Sequence, residues 1–140
     1  MSELSTLAQE YRVASQLSET MNRAVIGIKK AALGTELVDE SELRRARTTL
    51  SDIVGGFLTA LEASARSQIS TSRRIPGAVT HRLAGSHRGD LTYFLDDLRQ
   101  LKVRLEGNNQ LTDPDLRLLE EMLATVDSET ALVFRRLMRK

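Results

Sequence analysis

The chain has 140 residues, with 20 basic and 19 acidic side chains and no cysteine. This length suits one domain with a single core, and the near-balance of charge gives no overall attraction to nucleic acid. Without cysteine there are neither disulfides nor thiolate zinc sites. The apolar residues are mainly aliphatic and the aromatic residues are few, which is typical of helix-on-helix packing.

The sequence also predicts the location of the protein in the cell. No apolar run approaches the length of a membrane span. The first eleven residues contain acidic groups and no basic group, unlike a secretory signal. We therefore expect a cytoplasmic protein that makes no contact with membranes.

The first helical pattern extends from Leu4 to Ala32. Its apolar residues recur in steps of three and four, at Leu4, Leu7, Tyr11, Ala14, Leu17, Met21, Val25, Ile28 and Ala32. The average step is close to the heptad period of a coiled coil, but alanines in the stripe make a helical bundle the better prediction. Gly34 is suited to end the helix.

A second helix of similar length follows a short connection, which predicts an antiparallel hairpin. Asp39 and Glu42 have capping-box spacing, and Ser41 is a rival N-cap. The apolar stripe comprises Leu43, Ala46, Leu50, Ile53, Phe57, Leu61 and Ala65. Gly55 and Gly56 fall inside this helix, where they indicate either a hinge or close approach of a neighbouring helix, and we favour close approach.

The third helix has the most regular stripe of the chain. Asp90 is placed to cap its start, and Gly107 to end it. Its apolar residues are Leu91, Phe94, Leu98, Leu101 and Leu105. Arg104 adjoins this stripe, and its long side chain is expected to keep the charge in water.

The last helix begins at Thr112 or Asp113, with Pro114 in its first turn. Its main stripe comprises Leu116, Leu119, Leu123, Val126, Val133 and Leu137. A second apolar face comprises Leu118, Met122, Leu132, Phe134 and Met138. A helix that is apolar on two sides is either central in a bundle or shared with another chain. We therefore predict a homodimer, with Phe134 and Met138 at the contact.

The predicted fold is a single all-α domain, a four-helix bundle built from two hairpins. The hairpins cover residues 1–66 and 91–140, and a long basic segment over residues 67–90 joins them. Within that segment, Pro76–Ala84 has the pattern of a short helix, with three apolar residues four apart to anchor it on the bundle.

The basic connecting segment is the predicted partner- or anion-binding site. It contains four arginines, both histidines and one acidic residue. Arginine forks beside hydroxyl groups bind phosphate or carboxylate well, although a solvated loop has the same composition. The candidate residues are Arg73, Arg74, His81, Arg82, His87 and Arg88.

Residue patterns for catalysis or for a cofactor are missing. The two histidines have no third metal ligand at a recognisable spacing, and no nucleophile-elbow or phosphate-loop motif occurs. The sequence therefore predicts a protein without enzymatic activity, metal or cofactor. A bundle enzyme with an unrecognised site is one alternative.

The function that we expect is that of an adaptor or regulator, a helical module that binds another protein with an acidic face. The other alternative is a small nucleic-acid-binding protein that uses the loop arginines and the basic C-terminus. A helix-turn-helix with its bend at residues 126–128 would be one form of it.

Overall fold

The computed structural model describes residues 3–34, 39–65, 75–107 and 109–139. Within these ranges all regular structure is helical, so the predicted all-α class is confirmed. The five helices are α1 (Glu3–Leu33), α2 (Glu40–Ala65), α3 (Gly77–Ser86), α4 (Leu91–Glu106) and α5 (Asp113–Arg139). No described helix is long and apolar enough to cross a membrane.

The helices pack in a manner consistent with a bundle. α1 lies against both α2 and α5, and α2 also lies against α4. The short α3 contacts α2 and α5. In contrast, α4 and α5 are consecutive in the chain but make at most slight backbone contact. α4 therefore packs mainly on α2, and α5 packs mainly on α1.

Side chains from α1, α2, α4 and α5, together with α3, form one continuous core. Its fully buried members include Met21, Leu50, Phe57, Leu98 and Leu119, all on the predicted apolar stripes. The predicted anchor residues of the short helix are also buried, since Ile75, Val79 and Leu83 all belong to the core. The short helix runs slightly later than predicted and passes through Gly85 to Ser86.

Two predicted capping residues lie at helix ends, although no hydrogen bond from Glu42 completes the predicted capping box within the described residues. The Asp39 carboxylate accepts hydrogen bonds from the Ser41 backbone N–H at 3.2 Å and from the Ser41 hydroxyl at 2.9 Å. Asp39 is therefore the N-cap of α2, and Ser41 lies inside the helix. At the end of α1, Gly34 has a φ of 65° and donates its N–H to the Lys30 carbonyl, a conformation that favours glycine.

The starts of α4 and α5 differ from each other. Asp90 occupies the N-cap position of α4, but its side chain makes no capping hydrogen bond there, which corrects the predicted role. At the start of α5, the Thr112 backbone N–H donates to Asp115 at 2.9 Å, and the Asp115 N–H donates to the Thr112 hydroxyl at 3.2 Å. These reciprocal bonds form a capping box that satisfies two backbone donors.

The paired glycines of α2 allow close approach. A Cβ atom at Gly55 would lie 3.0 Å from Cε of Lys102, and one at Gly56 would lie 3.3 Å from Cγ1 of Ile75. The helix continues through both residues. Close packing is therefore the role that the structure supports, and part of it comes from Ile75, which precedes α3.

α5 is continuous through residues 126–128, so the bend required for the helix-turn-helix alternative is not there. Its second apolar face is divided between two environments. Met122 is fully buried and Leu118 packs against the core, whereas Phe134 and Met138 are 45% and 69% exposed. Only the C-terminal part of this face is therefore free to contact another molecule.

Candidate functional site

The predicted basic site is only partly within the described residues. Arg73 and Arg74 lie outside them. His81 and Arg88 have exposed side chains, and neither forms an ion pair within the described part of the chain. The remaining two residues, Arg82 and His87, contact acidic groups of α5.

Arg82 forms an ion pair that links α3 to α5. Its Nε atom lies 3.3 Å from Oε2 of Glu129, whose side chain is buried. A buried carboxylate needs a charged or hydrogen-bonding partner, and the partly exposed guanidinium of Arg82 supplies one. The charge of Arg82 is thus paired within the fold.

His87 is half-buried and contacts three different groups. Its Nε2 atom lies 2.6 Å from Oε1 of Glu121, and its Nδ1 atom lies 3.5 Å from Oδ1 of Asp90. The imidazole also stacks on the Phe94 ring, with centroids 3.7 Å apart and planes 4° from parallel. His87 therefore connects the α3–α4 junction to α5. The sequence did not reveal Glu121 as a partner of His87, because the two residues are 34 positions apart and no local spacing rule connects them.

A groove of about 470 Å³ lies between α4 and α5, and most of its lining side chains are polar. The contact between His87 and Glu121 lies at the groove, as does a second contact, in which Nη1 of Arg104 lies 2.7 Å from Oδ1 of Asp115. Both contacts join acidic and basic side chains of the protein itself. Within the described ranges, no group of three histidine or carboxylate side chains is arranged to hold a metal ion.

A different surface concentrates exposed apolar side chains. Tyr11 of α1 and Phe134 of α5 touch, with ring centroids 5.6 Å apart. Leu4 lies two turns before Tyr11 and is 48% exposed, and Met138 lies one turn after Phe134. We call these four side chains, Leu4, Tyr11, Phe134 and Met138, the terminal apolar surface. Sequence reasoning identified Phe134 and Met138, but it placed Leu4 and Tyr11 on the core stripe.

The same seam between α1 and α5 is polar farther along. The Ser18 hydroxyl and the Asn22 side-chain amide both donate to Oδ1 of Asp127. Beyond them, Lys29 and Glu120 form an ion pair. At the exposed edge of this seam, Leu4, Phe134 and Met138 therefore lie where α1 begins and α5 ends.

Comparison of the chain with protein-family models, with curated proteins and with solved structures gives no match.

Proposed function

We propose that this protein is a non-catalytic helical interaction module that binds a second copy of itself through the terminal apolar surface. The exposure of Leu4, Phe134 and Met138 is the observation that supports the proposal most directly. Water contact with three large apolar side chains on adjacent helices is unfavourable, and such patches mark interaction sites in soluble proteins.

The arrangement of this surface suits a partner with the same surface. It lies across two antiparallel helices and carries apolar side chains on each of them, so a two-fold axis would bring equivalent patches together. The contact between Tyr11 and Phe134 holds both aromatic rings of this surface in place before binding, which lowers the entropy lost on association. Exposed Arg135 and Arg139 flank the patch on α5, and their long side chains can keep the charges in water.

The oligomeric mass tests this proposal. We expect light scattering to give a dimer at concentrations on the order of tens of micromolar. The double variant Phe134→Glu/Met138→Glu should dissociate, with the dissociation constant raised on the order of 100-fold, because each change replaces buried apolar area with a charge. Its melting temperature at low protein concentration should stay close to that of the wild-type monomer.

The matched control is Tyr93→Glu/Val103→Glu on α4. Tyr93 and Val103 are 76% and 63% exposed, so they are comparable apolar side chains on another helix. This control should retain the dimer mass. A wild-type protein that remains monomeric over the whole concentration range would refute self-association.

A further inference from the structure

A pocket of about 320 Å³ opens between α1 and α2. Leu17 and Ile75 are nearly buried there, and Val13 and Ile53 are half-buried. Gly56 belongs to the same lining, and a side chain at this position would press against Ile75. The pocket is thus mainly apolar inside, and its volume lies at the lower end of the range for small-molecule sites.

Polar side chains line the same pocket. Gln16 and Thr20 come from α1, and Thr49 and Asp52 come from α2. Among the described residues, Asp52 is the only charged one in this lining; it is exposed and forms no ion pair there. By contrast, Glu62 of α2 forms an ion pair with Arg99 of α4. Among the described residues, the pocket therefore combines an apolar interior with one carboxylate that forms no ion pair.

We propose that the α1–α2 pocket binds a small amphipathic organic cation. The aliphatic part of the ligand would lie against Val13, Leu17 and Ile53, where it loses contact with water. The ammonium group would lie beside Asp52, and the neighbouring hydroxyl and amide oxygens would accept its remaining hydrogen bonds. None of these residues belongs to the terminal apolar surface, so this inference does not depend on self-association.

Three eight-carbon probes separate the apolar and the charged contributions. Octylammonium, 1-octanol and octanoate would each be titrated below their aggregation concentrations and followed by NMR chemical shifts of the pocket residues. We expect saturable binding of octylammonium and 1-octanol, with octylammonium on the order of fivefold tighter than octanoate, since Asp52 attracts one head group and repels the other. Equal affinity for octylammonium and octanoate would overturn the proposal, as would the absence of saturable binding.

Two variants locate the binding. Asp52→Asn should remove the preference for octylammonium over octanoate and leave 1-octanol affinity unchanged. Thr49→Trp should fill the pocket and weaken both octylammonium and 1-octanol at least tenfold, whereas the exposed neighbour Thr48→Trp should weaken neither. Circular dichroism checks that each variant is folded. Retained preference in Asp52→Asn, or unaltered affinity in a folded Thr49→Trp, would place the ligand elsewhere.

Discussion

Arg47 shows how a single buried side chain holds two helices of this protein together. Its Nε atom donates to the Leu105 carbonyl at 3.2 Å, and Nη2 donates to the carbonyls of Arg104 and Asn109. These oxygens lie at or after the last turn of α4, where a helix leaves carbonyl groups unpaired and where its dipole favours a cation. Burial lowers the pKa of Arg47 from its ordinary value, yet an arginine remains charged over the ordinary pH range.

Replacing Arg47 should therefore destabilise the protein more than replacing an exposed residue near it. We expect Arg47→Met to reduce the free energy of unfolding by about 2–3 kcal/mol, because buried carbonyls lose their donors. Arg47→Lys should restore little of this, since one ammonium cannot reproduce the planar fork. Urea denaturation would measure both, with the exposed Arg44→Met as control. Equal losses for Arg44→Met and Arg47→Met would show that the carbonyl contacts contribute nothing.

The side chain of Arg104 also has a structural role, and its position in the sequence does not reveal it. The sequence predicts a solvated charge beside the stripe of α4, but the structure pairs it with Asp115, which is only 4% exposed. We expect Arg104→Asp to cost about 2 kcal/mol, because it removes the partner of a buried carboxylate and adds a like charge. Leu98→Asp should unfold the protein altogether, since Leu98 is fully buried.

A double variant separates the two parts of the Arg104 effect in thermal melts. Adding Asp115→Asn to Arg104→Asp should recover part of the lost stability, because the repulsion disappears. If Arg104→Asp melts like the wild type, the contact between Arg104 and Asp115 does not form in solution.

At the scale of the helix, the start of α2 depends on an ionised side chain. Hydrogen bonds from the Ser41 hydroxyl and then from its backbone N–H lower the pKa of Asp39 below its usual range. A carboxyl group whose pKa is lower in the folded state stabilises that state above its unfolded pKa. This stabilisation is lost as the pH falls through the folded pKa.

The pKa of Asp39 can be followed directly by NMR. In the wild type its carboxyl resonance should titrate below the usual aspartate range. In Ser41→Ala the pKa of Asp39 should rise, because the hydrogen bond from the hydroxyl, which lowers that pKa more than the backbone bond does, is gone. The backbone N–H of residue 41 still donates. An unchanged titration in Ser41→Ala would mean that the hydroxyl does not bind the carboxylate.

The helices themselves were largely predictable, whereas the contacts between them were not. Residues of one helix share a face every three or four positions, so the buried stripe around Leu98 follows from spacing alone. Arg47 and Leu105 are 58 residues apart, and no local rule connects a guanidinium to a distant helix end. His87 and Glu121 are likewise far apart in the sequence. The predicted basic site therefore did not indicate that carboxylates of α5 would contact it.

For the molecule as a whole, charge distribution allows a test of the nucleic-acid alternative. Arg135, Arg136 and Arg139 are exposed on the last turns of α5 and form no ion pair within the described ranges. If they bind phosphates, affinity for mixed DNA or RNA should fall steeply with salt, with a slope of about −0.9 for each phosphate neutralised on duplex DNA. We expect no measurable binding at physiological salt. Steep, salt-dependent binding that Arg135→Glu/Arg139→Glu abolishes would favour the alternative.

The slight contact between α4 and α5 has a consequence for how the protein opens. Because α4 is held chiefly against α2, it can detach without disturbing the long contact between α1 and α5. The polar contacts that such an opening must break include those of Arg47, the pair of Arg104 with Asp115 and the pair of Arg99 with Glu62. Local unfolding should therefore begin in this part of the fold, and amide protons of α4 should exchange with solvent before those in the middle of α1 and α5.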